Sequence, residues 1–161
     1  MLTPEEVTHY QETGQVTASF RLDDDVVTAI QERAEKLFAA RPDLDHDYIP
    51  NVIELDAAGN WLEFGIHPQI LNSIEQLIGE NIILWGSAFF TKKGDGKRTA
   101  WHQDSAYWPI VPMAACSAWI AFDYTTRENG CMQIIPGSHK EGRQFSHFGS
   151  TADDILSLIH I

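Results

Sequence analysis

The chain has 161 residues, 43% of them hydrophobic and 21% charged, a balance that suits one globular domain with a real core. Its 11 basic and 23 acidic side chains give a net charge of −12, which repels phosphate backbones and argues against a nucleic-acid partner. The opening MLTPEEVTHYQETG lacks the cationic start and apolar run of a secretory signal, and no apolar run approaches the ~20 residues of a membrane span. No membrane association is therefore expected, and a cytoplasmic location is. Cys116 and Cys131, without CxxC spacing, read as buried thiols in a reducing compartment.

Thr3-Pro4-Glu5-Glu6 predicts a helix start, with Thr3 capping, Pro4 at the first position and Glu6 closing a capping box; Gly14 ends it. Val16, Ala18 and Phe20 alternate as in a short strand. Asp23-Asp24-Asp25 opens a second helix, its carboxylates complementing the positive helix end rather than holding a metal. Val26, Ile30, Ala34, Leu37 and Phe38 follow at helical spacing. Segments 48–55 and 60–66 read as strands about a turn at Ala58-Gly59-Asn60, and 68–79 as a helix with Ile70, Ile74 and Leu77 inward.

Beyond Gly79 the pattern becomes strand-like at 82–91 (IILWGSAFFT), 113–124 (MAACSAWIAFDY) and 131–135 (CMQII). Trp61, Trp85 and Phe89 are expected in the core. Lys92, Lys93, Lys97 and Arg98 form a basic stretch read as a solvated loop, with contact to an anionic substrate as the alternative. Pattern alone gives an α+β chain with a mostly β second half.

The chemistry concentrates in AWHQDSAYWPI, residues 100–110. On an extended segment, residues i and i+2 share a face, so His102 and Asp104 project together while Gln103 points away. One imidazole and one carboxylate are two of the three protein donors in a 2-His-1-carboxylate iron site. Alone, the triplet is weak evidence and reads more readily as a surface His–Asp hydrogen bond. A second stretch, NGCMQIIPGSHK at 129–140, adds a hairpin signal at Asn129-Gly130 and a strand end at Pro136-Gly137-Ser138.

Together WHQDSAYW, SAWIAFDY and NGCMQIIPGSHK resemble the phytanoyl-CoA dioxygenase family of iron(II)- and 2-oxoglutarate-dependent oxygenases. The resemblance runs from LTPEEVTHYQETG to about Ile155 and is most specific over 86–140. It implies a double-stranded β-helix (jelly roll, cupin-like) with helices outside, and Fe(II) and 2-oxoglutarate as cofactors. It also implies O₂ and a small organic molecule as substrates, with succinate and CO₂ as co-products. His102 and Asp104 match the first two iron ligands and are the expected catalytic residues; Trp119 matches a position beside 2-oxoglutarate. Asn129, Gly130, Pro136, Gly137 and Ser138 match a structural signature, and His139 is expected to be exposed. Tyr107 and Trp108 stand open between substrate pocket and core. Related halogenases replace the carboxylate by a small residue, so Asp104 implies hydroxylation over halogenation.

The family's distal histidine and following arginine have no clear counterpart. His160 is the one histidine after His147, and only Ile161 follows it. LSLIHI, residues 156–161, resembles one reading frame of a transposase-adapter tag. The expectation is therefore a truncated single domain over 1–155, inactive in this length, with a non-native tail over 156–161. The alternatives are a non-catalytic ligand-binding domain on a jelly-roll scaffold and a cupin-type metalloenzyme without 2-oxoglutarate.

Overall fold

In the computed structural model, the described residues are 1–45, 47–55, 61–92, 97–149 and the backbone of 158–159. The expected turn at 58–60, residues 93–96 of the basic stretch and His160 lie outside them.

The first helix, α1 (Pro4–Thr13), starts where the sequence places it. Glu6 N–H donates to Thr3 Oγ1 at 3.2 Å and Thr3 N–H donates to Glu6 Oε2 at 2.7 Å. The Thr3 amide bond holds the exposed Glu6 carboxyl below its ordinary pKa. Just before α1, Leu2 is buried and exchanges backbone bonds with the Gln76 side chain, at 2.8 and 2.9 Å. Gly14 closes the helix at φ +82°, its N–H donating to Tyr10 O at 2.7 Å.

That C-terminus is also a docking point. Gly137 N–H donates to Thr13 O at 2.8 Å, and His139 Nε2 donates to Gln11 O at 3.1 Å. His139 is exposed, as expected, yet it fixes α1 against the Pro136-Gly137-Ser138 turn. A Cβ on Gly14 would stand 2.5 Å from His139 Nδ1. Gly14→Ala is expected to destabilise by about 1–3 kcal/mol, since it adds this clash to a left-handed backbone. A urea melt checks it, and the loss should shrink in the Gly14→Ala, His139→Ala double variant.

The helix α2 (Asp24–Ala40) opens at Asp23, whose side chain makes no capping bond. Asp24 and Asp25 lie in its first turn, and Ile30, Ala34 and Leu37 are buried along one stripe. The strand β1 (Tyr48–Pro50) is followed by α3 (Val52–Leu55), α4 (Leu62–Gly65) and α5 (Pro68–Ile78), then β2 (Ala88–Phe90). The core gathers Ile30, Ala34, Leu37, Ile49, Val52, Trp61 and Phe89. Arg33 stacks over Phe64 at 4.7 Å and pairs with Glu63 at 2.7 Å, covering the Trp61 side of this cluster.

Several expected strands are corrected here. Residues 52–55 are helical because Asn51 takes a positive φ of 51° and ends β1, with Glu54 N–H donating back to Asn51 O at 2.8 Å. Residues 62–65 are also helical: Trp61 and Phe64, three apart, pack ring against ring at 5.7 Å, although Leu62, Phe64 and Ile66 also alternate as in a strand. The partner of β1 is therefore β2, antiparallel, with Ile49 opposite Phe89. Residues 16–20 form no strand. Within 82–91 only Ala88–Phe90 pairs, and 113–124 and 131–135 form no strand among the described residues.

Trp85 is 60% exposed, a correction to its expected core position, and Ser73 of α5 is buried instead, its hydroxyl donating to Gln69 O at 2.8 Å. Ile70, Ile74 and Leu77 of α5 are partly buried. Both cysteines are free and partly rather than fully buried. Strands β3 (His147–Phe148) and β4 (Leu158–Ile159) pair antiparallel, so residues 158–159 of the expected tail carry backbone pairing. No barrel closes among the described residues: their strands form two separate two-stranded pairs. No helix among them is long and apolar enough to cross a membrane.

Candidate metal centre

His102 and Asp104 lie side by side, with Nε2 3.2 Å from Oδ1. The backbone that achieves this differs from the expected strand. Gln103 is extended, at φ −119° and ψ 126°, but Asp104 opens a single 3-10 turn through Ala106. The turn leaves Asp104 half-exposed, while the His102 side chain is 20% exposed.

The imidazole is oriented from behind. His102 Nδ1 donates to Ala100 O at 2.7 Å, and Ala100 is itself buried. That bond commits the Nδ1 proton and aims Nε2 at the carboxylate. Without a cation, Nε2 meets Asp104 by carrying a second proton. The hydrogen bond to Asp104 raises the His102 pKa above its ordinary value, burial opposes this, and the Ala100 carbonyl adds to the rise. With its Nε2 proton removed, the same geometry presents an imidazole lone pair and a carboxylate oxygen to one point. Two donors about 2.1 Å from an ion and at right angles sit ~3 Å apart, close to the separation found.

Apart from Tyr107, the surroundings were not legible as site residues. Ser117 Oγ donates to Asp104 Oδ2 over a long 3.4 Å. Tyr107 sets its ring edge-on to His102 at 6.1 Å and to His147 at 5.8 Å. Tyr48 of β1 stands close enough for its hydroxyl pKa to be pushed up, first by burial and then by the Asp104 charge. Gln103 N–H donates to His147 Nε2 at 3.0 Å. Neither Tyr48 nor His147 belongs to a sequence pattern that announces it, and Ser117 opens SAWIAFDY, a stretch that marks no role for it.

Other expected site residues are more loosely related. Trp119 is 46% exposed and Tyr107 42% exposed, while Trp108 is partly buried. Asn129 and Gly130 form the expected turn: Thr126 N–H donates to Asn129 Oδ1 at 2.7 Å, and Gly130 sits at φ +93°. In the basic stretch, Lys92 Nζ donates to Lys97 O at 2.7 Å, Lys97 N–H donates to Asp47 Oδ2 at 3.1 Å, and Lys97 Nζ pairs with Asp45. Among the described residues, no three His, Cys, Asp or Glu side chains converge as a metal site. His102 and Asp104 thus fit two protein positions of an iron centre, and a third donor is not among those residues.

Comparison with known proteins gives this geometry its context. The model of the phytanoyl-CoA dioxygenase family, "Phytanoyl-CoA dioxygenase (PhyH)", matches residues 10–156. The human peroxisomal phytanoyl-CoA dioxygenase is 38% identical over 79 residues, covering 45% of this chain and 23% of that protein. The mouse protein is 26% identical over 164 aligned positions, covering 87% of this chain and 48% of that protein. A protein described as "Probable alpha-ketoglutarate-dependent hypophosphite dioxygenase" from Stutzerimonas stutzeri is 35% identical over 79 residues, covering 49% of this chain and 27% of that protein. The chain thus spans less than half the length of these relatives. No solved structure matches it.

Proposed function

The chain belongs to the phytanoyl-CoA dioxygenase family of iron(II)- and 2-oxoglutarate-dependent dioxygenases, and from that premise we propose that it uses His102 and Asp104 to hold iron in the hydroxylation of a small organic substrate. Membership implies a double-stranded β-helix scaffold, of which the described residues display only short antiparallel pairs. The observation that carries the reading is the convergence of Nε2 and Oδ1 at 3.2 Å with Nδ1 already committed to Ala100 O. Metal-binding histidines are characteristically held this way through their second nitrogen.

When bound, iron with 2-oxoglutarate and O₂ supplies the oxidation, releasing succinate and CO₂ as the substrate gains a hydroxyl. The chain's own part is to hold and orient. Ala100 O fixes which imidazole nitrogen faces the metal. Asp104 supplies negative charge that lowers the electrostatic cost of a divalent ion there. The Tyr107 ring packs on the His102 imidazole and limits its swing. Trp119 is proposed to lie beside 2-oxoglutarate, and Tyr107 and Trp108 to border the substrate.

A protein that carries this chain at its relatives' full length should bind Fe(II) and, with ascorbate, 2-oxoglutarate and O₂, release succinate above a metal-free control, whereas the 161-residue chain alone should bind iron weakly and release none. Slow release is expected even without the true substrate, so the unknown substrate does not block the assay. Iron bound without any succinate would favour the non-catalytic binding domain. No iron bound would remove the metal reading of His102 and Asp104.

A further inference from the structure

Between the two donors, Gln103 faces the other way, and each of its three remaining polar groups apart from its carbonyl is bonded to residues 143–147. Its N–H donates to His147 Nε2 at 3.0 Å, its side-chain Nε2 donates to Arg143 O at 3.0 Å, and its Oε1 accepts from Phe145 N–H at 2.7 Å. The segment bearing both donors is therefore splinted along its back. His147 is the one side chain of that splint that bonds to the donor segment's backbone.

We propose that His147 is a positioning residue for the metal-ligating pair, setting the separation and direction of His102 and Asp104 through the Gln103 amide. The proposal rests on the iron reading of that pair. His147 Nδ1 donates to Phe145 O at 3.0 Å, which leaves Nε2 as an acceptor. That acceptor faces the Gln103 N–H, so the ring's tautomer and the bond it makes are mutually fixed. The Tyr107 ring, 5.8 Å from His147 and 6.1 Å from His102, packs edgewise against both imidazoles and blocks tilting. Both ring nitrogens of His147 are spent on these bonds, so in this arrangement it supports the site rather than ligating an ion. Ligand pairs need placement within about 0.5 Å, and loss of an outer partner characteristically costs ~10–100-fold in metal affinity.

The test is a Co(II) titration of the protein, followed through the metal's visible absorption band, with metal-free thermal melts alongside. His147→Phe keeps a ring but lacks the acceptor, and should raise the Co(II) Kd about 10–100-fold and change the band shape. His147→Gln, whose Oε1 can accept from Gln103 N–H, should restore both to near the parent; His147→Asn, which is shorter, should not. If the Phe variant does not fold, the Gln and Asn pair decides. Parent-like affinity and band shape in both Phe and Asn variants, with binding lost in Asp104→Ala, would overturn this role and leave the iron reading standing. No Co(II) binding by the parent, or undiminished binding by Asp104→Ala, would overturn both.

Discussion

In a protein that carries this chain at its relatives' full length, Asp104→Ala is expected to weaken Fe(II) binding and to lower iron-dependent succinate release by at least about a hundredfold. Removal of an outer-shell partner already costs ~10–100-fold in affinity, and Asp104 is placed to donate directly. The loss has two parts. One donor oxygen disappears, and so does the negative charge that offsets the ion's own. Ser117→Ala is the informative control. Its hydroxyl reaches Asp104 Oδ2 at 3.4 Å, at the limit of a hydrogen bond, and Ser117 is exposed. Such a bond contributes ~1 kcal/mol at most, so the serine variant should lose less than about tenfold. Equal losses in the two variants would mean that Asp104 acts through the local fold rather than through a metal.

The donor pair was legible because it is local. Two residues apart, His102 and Asp104 are brought together by short-range backbone geometry, whether that is a strand or, as found, an extended residue entering a tight turn. Helix α1 was legible for the same reason: Thr3, Pro4, Glu6 and Gly14 each act within one turn of their own position. What failed was pairing. Alternation in 82–91 reports which faces differ, but a strand exists only where another segment supplies its hydrogen bonds, and only Ala88–Phe90 meets β1. Short apolar runs such as 62–66 carry both periods, and the Trp61–Phe64 contact favours the helical one.

The supporting groups were illegible because they depend on distant partners. His147 meets Gln103 across 44 residues, and His139 meets Gln11 across 128. No local pattern distinguishes a histidine that backs a ligand segment from one on a solvated turn. The family resemblance marked the Pro-Gly-Ser turn as structural, and the bonds to Thr13 and Gln11 give that role its content: the turn clamps the end of α1.

Phe89→Ala is expected to cost about 3–5 kcal/mol of folding stability, the range for emptying a buried aromatic site. Phe89 is 8% exposed at the centre of β2, and its ring meets three others edge-on: Trp61 at 4.8 Å, Phe122 at 5.7 Å and Phe38 at 6.0 Å. These come from the segment before α4, from 113–124 and from α2, so one side chain ties the helical half to the segment that carries Ser117. Edge-to-face pairs add ~0.5–1.5 kcal/mol each beyond burial, and the surrounding rings are too rigid to refill the space. Phe90 is the matched control, one residue on and facing the other way, 41% exposed against Tyr48 at 4.9 Å. Its alanine variant should lose about 1–2 kcal/mol, mainly that one ring contact. Urea melts of the two variants under one set of conditions give the comparison. Because a domain's whole stability is ~5–15 kcal/mol, the Phe89 variant should also populate unfolded chain and expose the metal segment to proteolysis first. Equal losses at the two positions would mean that β2 does not present Phe89 inward.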